Sequence, residues 1–357
     1  MKLSGYFKDF GNDVVLKLDY ENLDLYDKVF ISKVFLDTTI KEEILNMPNI
    51  EYGGTGFFYD KAPKLDCQIE HHFPDYHLYD EWVDMSVNEK IKATEIKKKK
   101  QLINKEIDKI KDDFKYYTDY SIGFMTRGCF RQCSFCVNRN YKKVEVHSPL
   151  SEFYDPSRPK ICLLDDNFLG QTEWKRMLQE LQDTKKPFQF KQGLDERILT
   201  DEKCEMLFRS KYDGDYIFAF DNIDDSIIIE RKLKLIREHT NAIPKFYVFC
   251  GFDRNDIWNE RFWKNDIIDV FKRIEILMRH HCLPYIMRFN RYEESKHRGI
   301  YIELARWCNQ PSFLKKKSFY EFCTMKENMG SPYKYMMDFK EKYPEIAEKY
   351  YDMKWIN

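Results

Sequence analysis

From about residue 116 onward, short apolar runs recur along the chain. They lie at 122–125, 161–164, 188–190, 216–220, 246–250 and 285–289, and are rich in Ile, Phe, Tyr and Val, as buried strands are. Amphipathic stretches fall between most of them. Trp174, Met177, Leu178 and Leu181 share one helical face; Ile229, Leu233 and Ile236 repeat the spacing, as do Ile267, Phe271, Ile274 and Met278. Strands alternating with helices predict βαβ units and a parallel sheet. Six strands are too few for a closed eight-stranded barrel, so an open barrel or a doubly wound sheet fits.

Residues 1–115 read as a separate unit. The run 28–35 has a buried strand's composition, and 41–46 suggests a short helix. Gly53-Gly54-Thr55-Gly56 calls for positive φ or close backbone approach. From 89 to 113, Ile96, Ile103, Ile107 and Ile110 recur at helical spacing among many charges. This predicts a solvated linking helix that carries the four lysines at 97–100 on its surface. After a central segment over 116–310, the aromatic-rich tail 311–357 reads as helices covering the open barrel.

Composition narrows the class. The chain has 357 residues, with Lys+Arg 59 against Asp+Glu 60 and a formal net charge of −1. No global basic field draws a polynucleotide. Hydrophobic residues at 43% are enough for a sizeable core. No apolar run approaches the roughly 18 residues of a membrane helix, and Lys2, Lys8 and Asp9 interrupt the place of a signal peptide's apolar stretch. A soluble, cytoplasmic protein making no membrane contact is expected.

Ten cysteines in a reducing compartment are thiols rather than a disulfide framework. Seven are scattered, and one in an apolar run, such as Cys250, is a small buried hydrophobe. Cys129, Cys133 and Cys136 differ: they form a C-x3-C-x2-C pattern directly after the first strand of the series. Three close thiolates suit a soft metal or an iron–sulfur cluster. A structural zinc site wants a fourth ligand, and neither His147 nor Cys162 stands at a usual zinc spacing. A four-iron cluster on three cysteines keeps one iron free for a substrate.

The loops leaving the strand ends are polar. Asp165-Asp166-Asn167 follows the second strand, and Lys191-Gln192-Gly193, Asp195 and Arg197 follow the third. Asp221-Asn222, then Asp253 and Arg254, then Arg288 and Asn290 follow the later ones. Parallel α/β proteins gather their sites at such carboxyl ends, although Asp and Asn there also cap helices.

The cysteine pattern, with Phe135 before its last cysteine and Arg127-Gly128 before its first, resembles the signature of the radical S-adenosylmethionine superfamily. The Arg-Gly is similar to the cobalamin-domain and methylthiotransferase-like branches. The likeness covers roughly residues 116–300 and extends to Leu164–Phe168 and Gln192–Arg197 as stretches. It implies an α/β fold: a partial (βα)6 TIM-like barrel behind a short Rossmann-like α/β unit, with a helical C-terminal cover. It also implies a 4Fe–4S cluster on Cys129, Cys133 and Cys136, whose open iron binds S-adenosylmethionine. Cleavage would yield a 5′-deoxyadenosyl radical that takes hydrogen from an unidentified substrate. Phe135 would lie beside the adenine, Asp165, Asp166 and Asn167 would face the methionine ammonium, Asp195 the ribose, and Arg197 the methionine carboxylate. A flavodoxin- or ferredoxin-type one-electron donor is the implied partner. The substrate is expected to be a small molecule or nucleoside rather than a polynucleotide. Two departures stand out. The superfamily's Gly-Gly-Glu is replaced by Asp165-Asp166-Asn167, and no cobalamin-ligating motif is present, Asp75-Tyr76-His77 being out of order. A different class is a non-catalytic iron–sulfur or zinc-binding interaction protein.

Two further groupings read as ordinary residues. Cys67, His71, His72 and His77 match no zinc spacing, and Cys282, Cys308 and Cys323 lie far apart. The lysines at 315–317 read as a solvated face.

Overall fold

The computed structural model describes residues 1–355. The chain forms two compact units, one of Met1–Asp165 with Thr184–Phe188, the other of Asp166–Asp183 with Gln189 onward.

In the first unit, β1 (Val29–Ser32) and β2 (Ile50–Gly53) pair in parallel, Val29 opposite Ile50 and Ser32 opposite Gly53. The glycines that follow behave as their sequence requires. Gly54 has φ +102, and a Cβ on it would lie 2.4 Å from the Lys33 carbonyl oxygen. The Gly56 N–H donates to that same carbonyl at 2.9 Å, so this segment is laid directly against the end of β1.

The expected single helix over 89–113 is two helices, Asp80–Lys98 and Asn104–Asp112, with Lys99 left-handed at φ 53. Ile96 and Ile103, two of the residues at helical spacing, are 78% and 62% exposed. The packed stripe is instead Val83, Val87 and Phe114, with Trp82 and Ile110 against them. Helical spacing alone did not reveal the break. Four adjacent lysines repel along a continuing helix, whereas turned back they let Lys98 and Lys100 both reach Glu106.

β3 (Tyr120–Gly123) and β6 (Lys160–Leu163) pair in parallel, Tyr120 opposite Lys160. Between them β4 (Thr126–Arg127) and β5 (Glu145–Val146) form a short antiparallel pair. The boundary between the units passes through β7 (Phe188–Phe190).

In the second unit β8 (Ile217–Ala219), β9 (Lys245–Cys250) and β10 (Leu283–Arg288) pair in parallel, in sequence order. Leu194 bridges to Phe218 in the same sense. Helices Ser226–His239 and Glu260–Arg279 make the crossovers. The period-2 pattern sets the two faces apart. Phe218 lies beside Phe246, and Val248 beside Ile286, all buried. On the other face Ala219, Tyr247 and Tyr285 form a row with Phe249 and Met287 beside it, and Tyr285 and Met287 are exposed.

The tail is helical, as expected, in Pro311–Leu314, Phe319–Cys323, Ser331–Lys342 and Pro344–Tyr350. It packs on the helices Glu260–Arg279 and Arg298–Cys308, with Phe271 stacked on Tyr350 at 5.4 Å and Trp307 against Phe319 at 5.6 Å. These aromatic pairs bury large apolar area within the helical layer.

The fold is therefore α/β with parallel pairing, and among the described residues no sheet closes into a barrel. No helix among them is long and apolar enough to cross a membrane.

Candidate functional site

In the first unit the three-cysteine segment is an excursion between β4 and β5. Arg127 pairs opposite Glu145, which closes its base. The base is fastened from below by Asp165. Its carboxylate, 1% exposed, accepts from the Thr126 N–H at 2.5 Å, the Thr126 hydroxyl at 2.6 Å and the Met125 N–H at 3.2 Å. Asp165 thus ties the exit of β3 to the end of β6, so that the cysteine loop leaves at a fixed point.

The loop's course depends on two left-handed residues, Gly128 at φ +90 and Gln132 at φ 49. A Cβ on Gly128 would lie 2.6 Å from the Lys143 carbonyl oxygen and 2.7 Å from the Tyr141 ring, so only glycine fits. Cys129, Cys133 and Cys136 are all half-buried. The Cys136 N–H donates to the Cys133 carbonyl at 2.9 Å, making a tight turn that holds these two cysteines. The Arg131 N–H points at Cys129 Sγ and the Asn138 N–H at Cys136 Sγ, each at 3.4 Å. Backbone N–H groups aimed at sulfur stabilise a thiolate and are among the contacts that tune a bound cluster. The donor set and its surroundings therefore suit an iron–sulfur cluster. Among the described residues no three His, Cys, Asp or Glu side chains converge as a cage for one metal ion. A cube of irons takes its thiolates at separate corners, so a one-ion cage is not what it requires.

Phe135 is half-buried, and its carbonyl accepts the Tyr59 hydroxyl at 2.8 Å. Arg127 lies over the Phe124 ring at 3.4 Å and 3.5 Å from Glu70. Glu70 also meets His147 at 3.2 Å. The hydrogen bond from His147, with Lys2 and Arg127 nearby, outweighs burial and holds the Glu70 carboxyl down at about 2. His147 is thus engaged by Glu70 and stacked on His71 at 5.1 Å. His71 pairs with Glu152, His72 with Asp9 and His77 with Asp80.

The remaining expected residues belong to the second unit. Asp166 is half-buried and Asn167 is 2% exposed, at the head of the turn Phe168–Gly170. Asp195 and Arg197 come together: Asp195 Oδ1 accepts from Arg197 Nε at 2.8 Å, while Arg197 Nη1 meets Asp225 at 2.8 Å. Burial works against the Arg197 charge, but Asp195, Glu196 and Asp225 raise its pKa above the usual guanidinium value. Sequence reasoning passed over two of these partners. Asp225 lies 28 positions away and offers no spacing signal. Glu196, between two marked residues, points inward and is fully buried. Its Oε2 accepts from the Ala219 N–H at 3.3 Å, and Oε1 has no hydrogen-bond partner. Burial, then the Asp195 charge, push this carboxyl up to about 8, so it is protonated at neutral pH.

Beneath the ends of β8 and β9 lies Arg273, 2% exposed, which the apolar pattern of its helix concealed. Its Nη1 donates to the carbonyls of Phe220, Asp221 and Phe249 at 3.0, 3.1 and 2.8 Å. Asp221 accepts from the Phe249 N–H at 3.1 Å, and Asp266 from the Gly251 N–H and the Tyr301 hydroxyl. Both carboxyls are raised, first by burial. The network fixes the strand ends from which the later loops leave. Cys204 and Cys282, raised by burial to about 12, are thiols packed as apolar groups.

No known protein-family model matches the chain, and no curated protein shows significant similarity to it.

Proposed function

We propose that this protein is a radical S-adenosylmethionine enzyme built on an open six-stranded (βα)6 barrel. The observation that carries the reading is the loop of Cys129, Cys133 and Cys136, closed at its base by β4–β5, pinned by Asp165, with backbone N–H groups directed at two sulfurs. The parallel strands β8, β9 and β10, joined by helical crossovers and standing in sequence order, are what one half of such a barrel requires.

In this reading Cys129, Cys133 and Cys136 hold a 4Fe–4S cluster. When bound, such a cluster supplies the electron that splits S-adenosylmethionine reductively. The chain's own residues do the positioning. Phe135 would pack beside the adenine. Asp166 and Asn167 would accept from the methionine ammonium, while Asp165 spends its oxygens on the loop base. Asp195 would take the ribose hydroxyls. Arg197, held by Asp195 and Asp225, would take the methionine carboxylate. Holding the reacting groups close and dry is most of what such a protein contributes. A one-electron donor of flavodoxin or ferredoxin type is required.

Anaerobic reconstitution tests this. About four irons and four sulfides per chain, with 5′-deoxyadenosine formed on reduction, are expected. Cys133→Ala should lose most of the iron and all of the 5′-deoxyadenosine. One zinc per chain with no cleavage product would instead fit the non-catalytic class and end the proposal.

A further inference from the structure

The segment after β2 grips the cysteine loop at several points, all within the first unit. Tyr59 donates its hydroxyl to the carbonyl of Phe135, the residue preceding Cys136, at 2.8 Å. Asp60 Oδ2 accepts from Arg139 Nε at 2.8 Å and from Asn140 Nδ2 at 3.2 Å. Arg139 in turn donates Nη1 to the Ser134 carbonyl at 3.3 Å and lies 5.6 Å from the Tyr59 ring centre. Cys136 is therefore held on both sides, through Ser134 and Phe135 before it and Arg139 and Asn140 after it.

The gripping segment is itself constrained. Its root, Gly54-Thr55-Gly56, is pressed against the end of β1, where Gly54 and Gly56 leave no room for a Cβ. At its tip Tyr59 has φ 50 and ψ −109, a backbone state that a bulky side chain adopts only under compulsion. Strain of this kind persists where surrounding contacts over-determine it, and it gathers at working sites. Here the compulsion delivers the Tyr59 hydroxyl to Phe135.

The geometry points to Tyr59 and Asp60 as positioning residues that fix Cys136 in the place where it ligates the cluster. This gives the N-terminal parallel pair a task, since β1 and the glycines anchor the clasp. The inference rests on the proposed function for its purpose, but the clasp acts on the metal-free chain and can be tested there.

The test is alkylation of the metal-free, full-length protein by iodoacetamide, read at each cysteine by mass spectrometry. Tyr59→Phe keeps the ring under Arg139 and removes only the hydroxyl. It should raise labelling of Cys136 about fivefold, the opening released by one lost hydrogen bond. The exposed Cys67 should label as in the wild type. Asp60→Asn should act on Cys136 in the same direction, and the pair of changes more strongly. Unchanged labelling of Cys136 overturns the inference. So does an equal rise at all three cysteines, which would mean general loosening. In reconstituted protein the Tyr59→Phe change should retain iron yet alter the spectrum of the reduced cluster. Wild-type protein that takes up no iron would remove the proposed function while the labelling result still decides the clasp.

Discussion

Glu196 shows how much a single residue's surroundings decide. It stands between Asp195 and Arg197 in sequence, yet it points inward, fully buried, with its carboxyl raised to about 8. In the unfolded chain the same carboxyl titrates near its ordinary value of 4.5. Between those two values the folded protein holds a proton that the unfolded chain has released. This contribution is complete below about pH 4.5 and is lost as pH rises towards 8. The expected slope approaches ~1.4 kcal/mol per pH unit over that window. Glu196→Gln keeps the shape without the titration. Urea unfolding from pH 5 to 8 should show wild type falling relative to the variant, and parallel profiles would refute the buried acid. Asp165 is the opposite case, since its buried carboxylate is matched by three donors. The aspartates at 165 and 195 were legible as residues of interest. Which one ties down backbone and which one pairs with arginine was not, because both depend on what folding brings alongside.

Among the elements, strands were the most legible. Every apolar run marked from 122 onward contains or touches a strand, and the parallel sense followed from the intervening helices. The helix pair around Lys99 was misread as one because helical spacing continues through the break. Lys99 is a left-handed C-cap at φ 53, a conformation that costs a side-chain-bearing residue more than glycine. Lys99→Gly should therefore stabilise the protein by ~0.5–1 kcal/mol, read as a raised thermal midpoint. A lowered midpoint would mean that the turn is not left-handed. The tail was correctly read as helical, but the helices it packs against were not legible. Amphipathic spacing says that a helix has an apolar face and is silent about which other face it meets.

For the whole molecule, the balance of 59 basic against 60 acidic residues leaves almost no net charge near neutrality. Proteins so balanced associate most readily where that charge vanishes. Light scattering of the concentrated protein should be greatest near pH 7 and fall at pH 8.5, where the chain is more negative. Scattering that does not depend on pH would contradict this. The same balance is spent internally in unequal ways. Arg273 lies buried beneath the strand ends and gives its charge to the carbonyls of Phe220, Asp221 and Phe249, whereas Lys98, Lys100 and Glu106 pair at the surface. Surface pairs of the second kind contribute little to stability, while losing the buried guanidinium would leave three carbonyls at the strand ends without this donor.

The sequence by itself determined what is local and periodic: the alternation of strand and helix, the glycines that only close approach could require, and three thiols within one loop. These follow from steric and hydrophobic rules that act over a few residues. Only the tertiary structure decided which distant groups meet. It brought Asp165 to Thr126, Asp225 to Arg197 and Tyr59 to Phe135, across 39, 28 and 76 positions. Hydrogen bonds and ion pairs are short-ranged, so their partners are set by where the packed chain passes, and no pattern along the sequence carries that information.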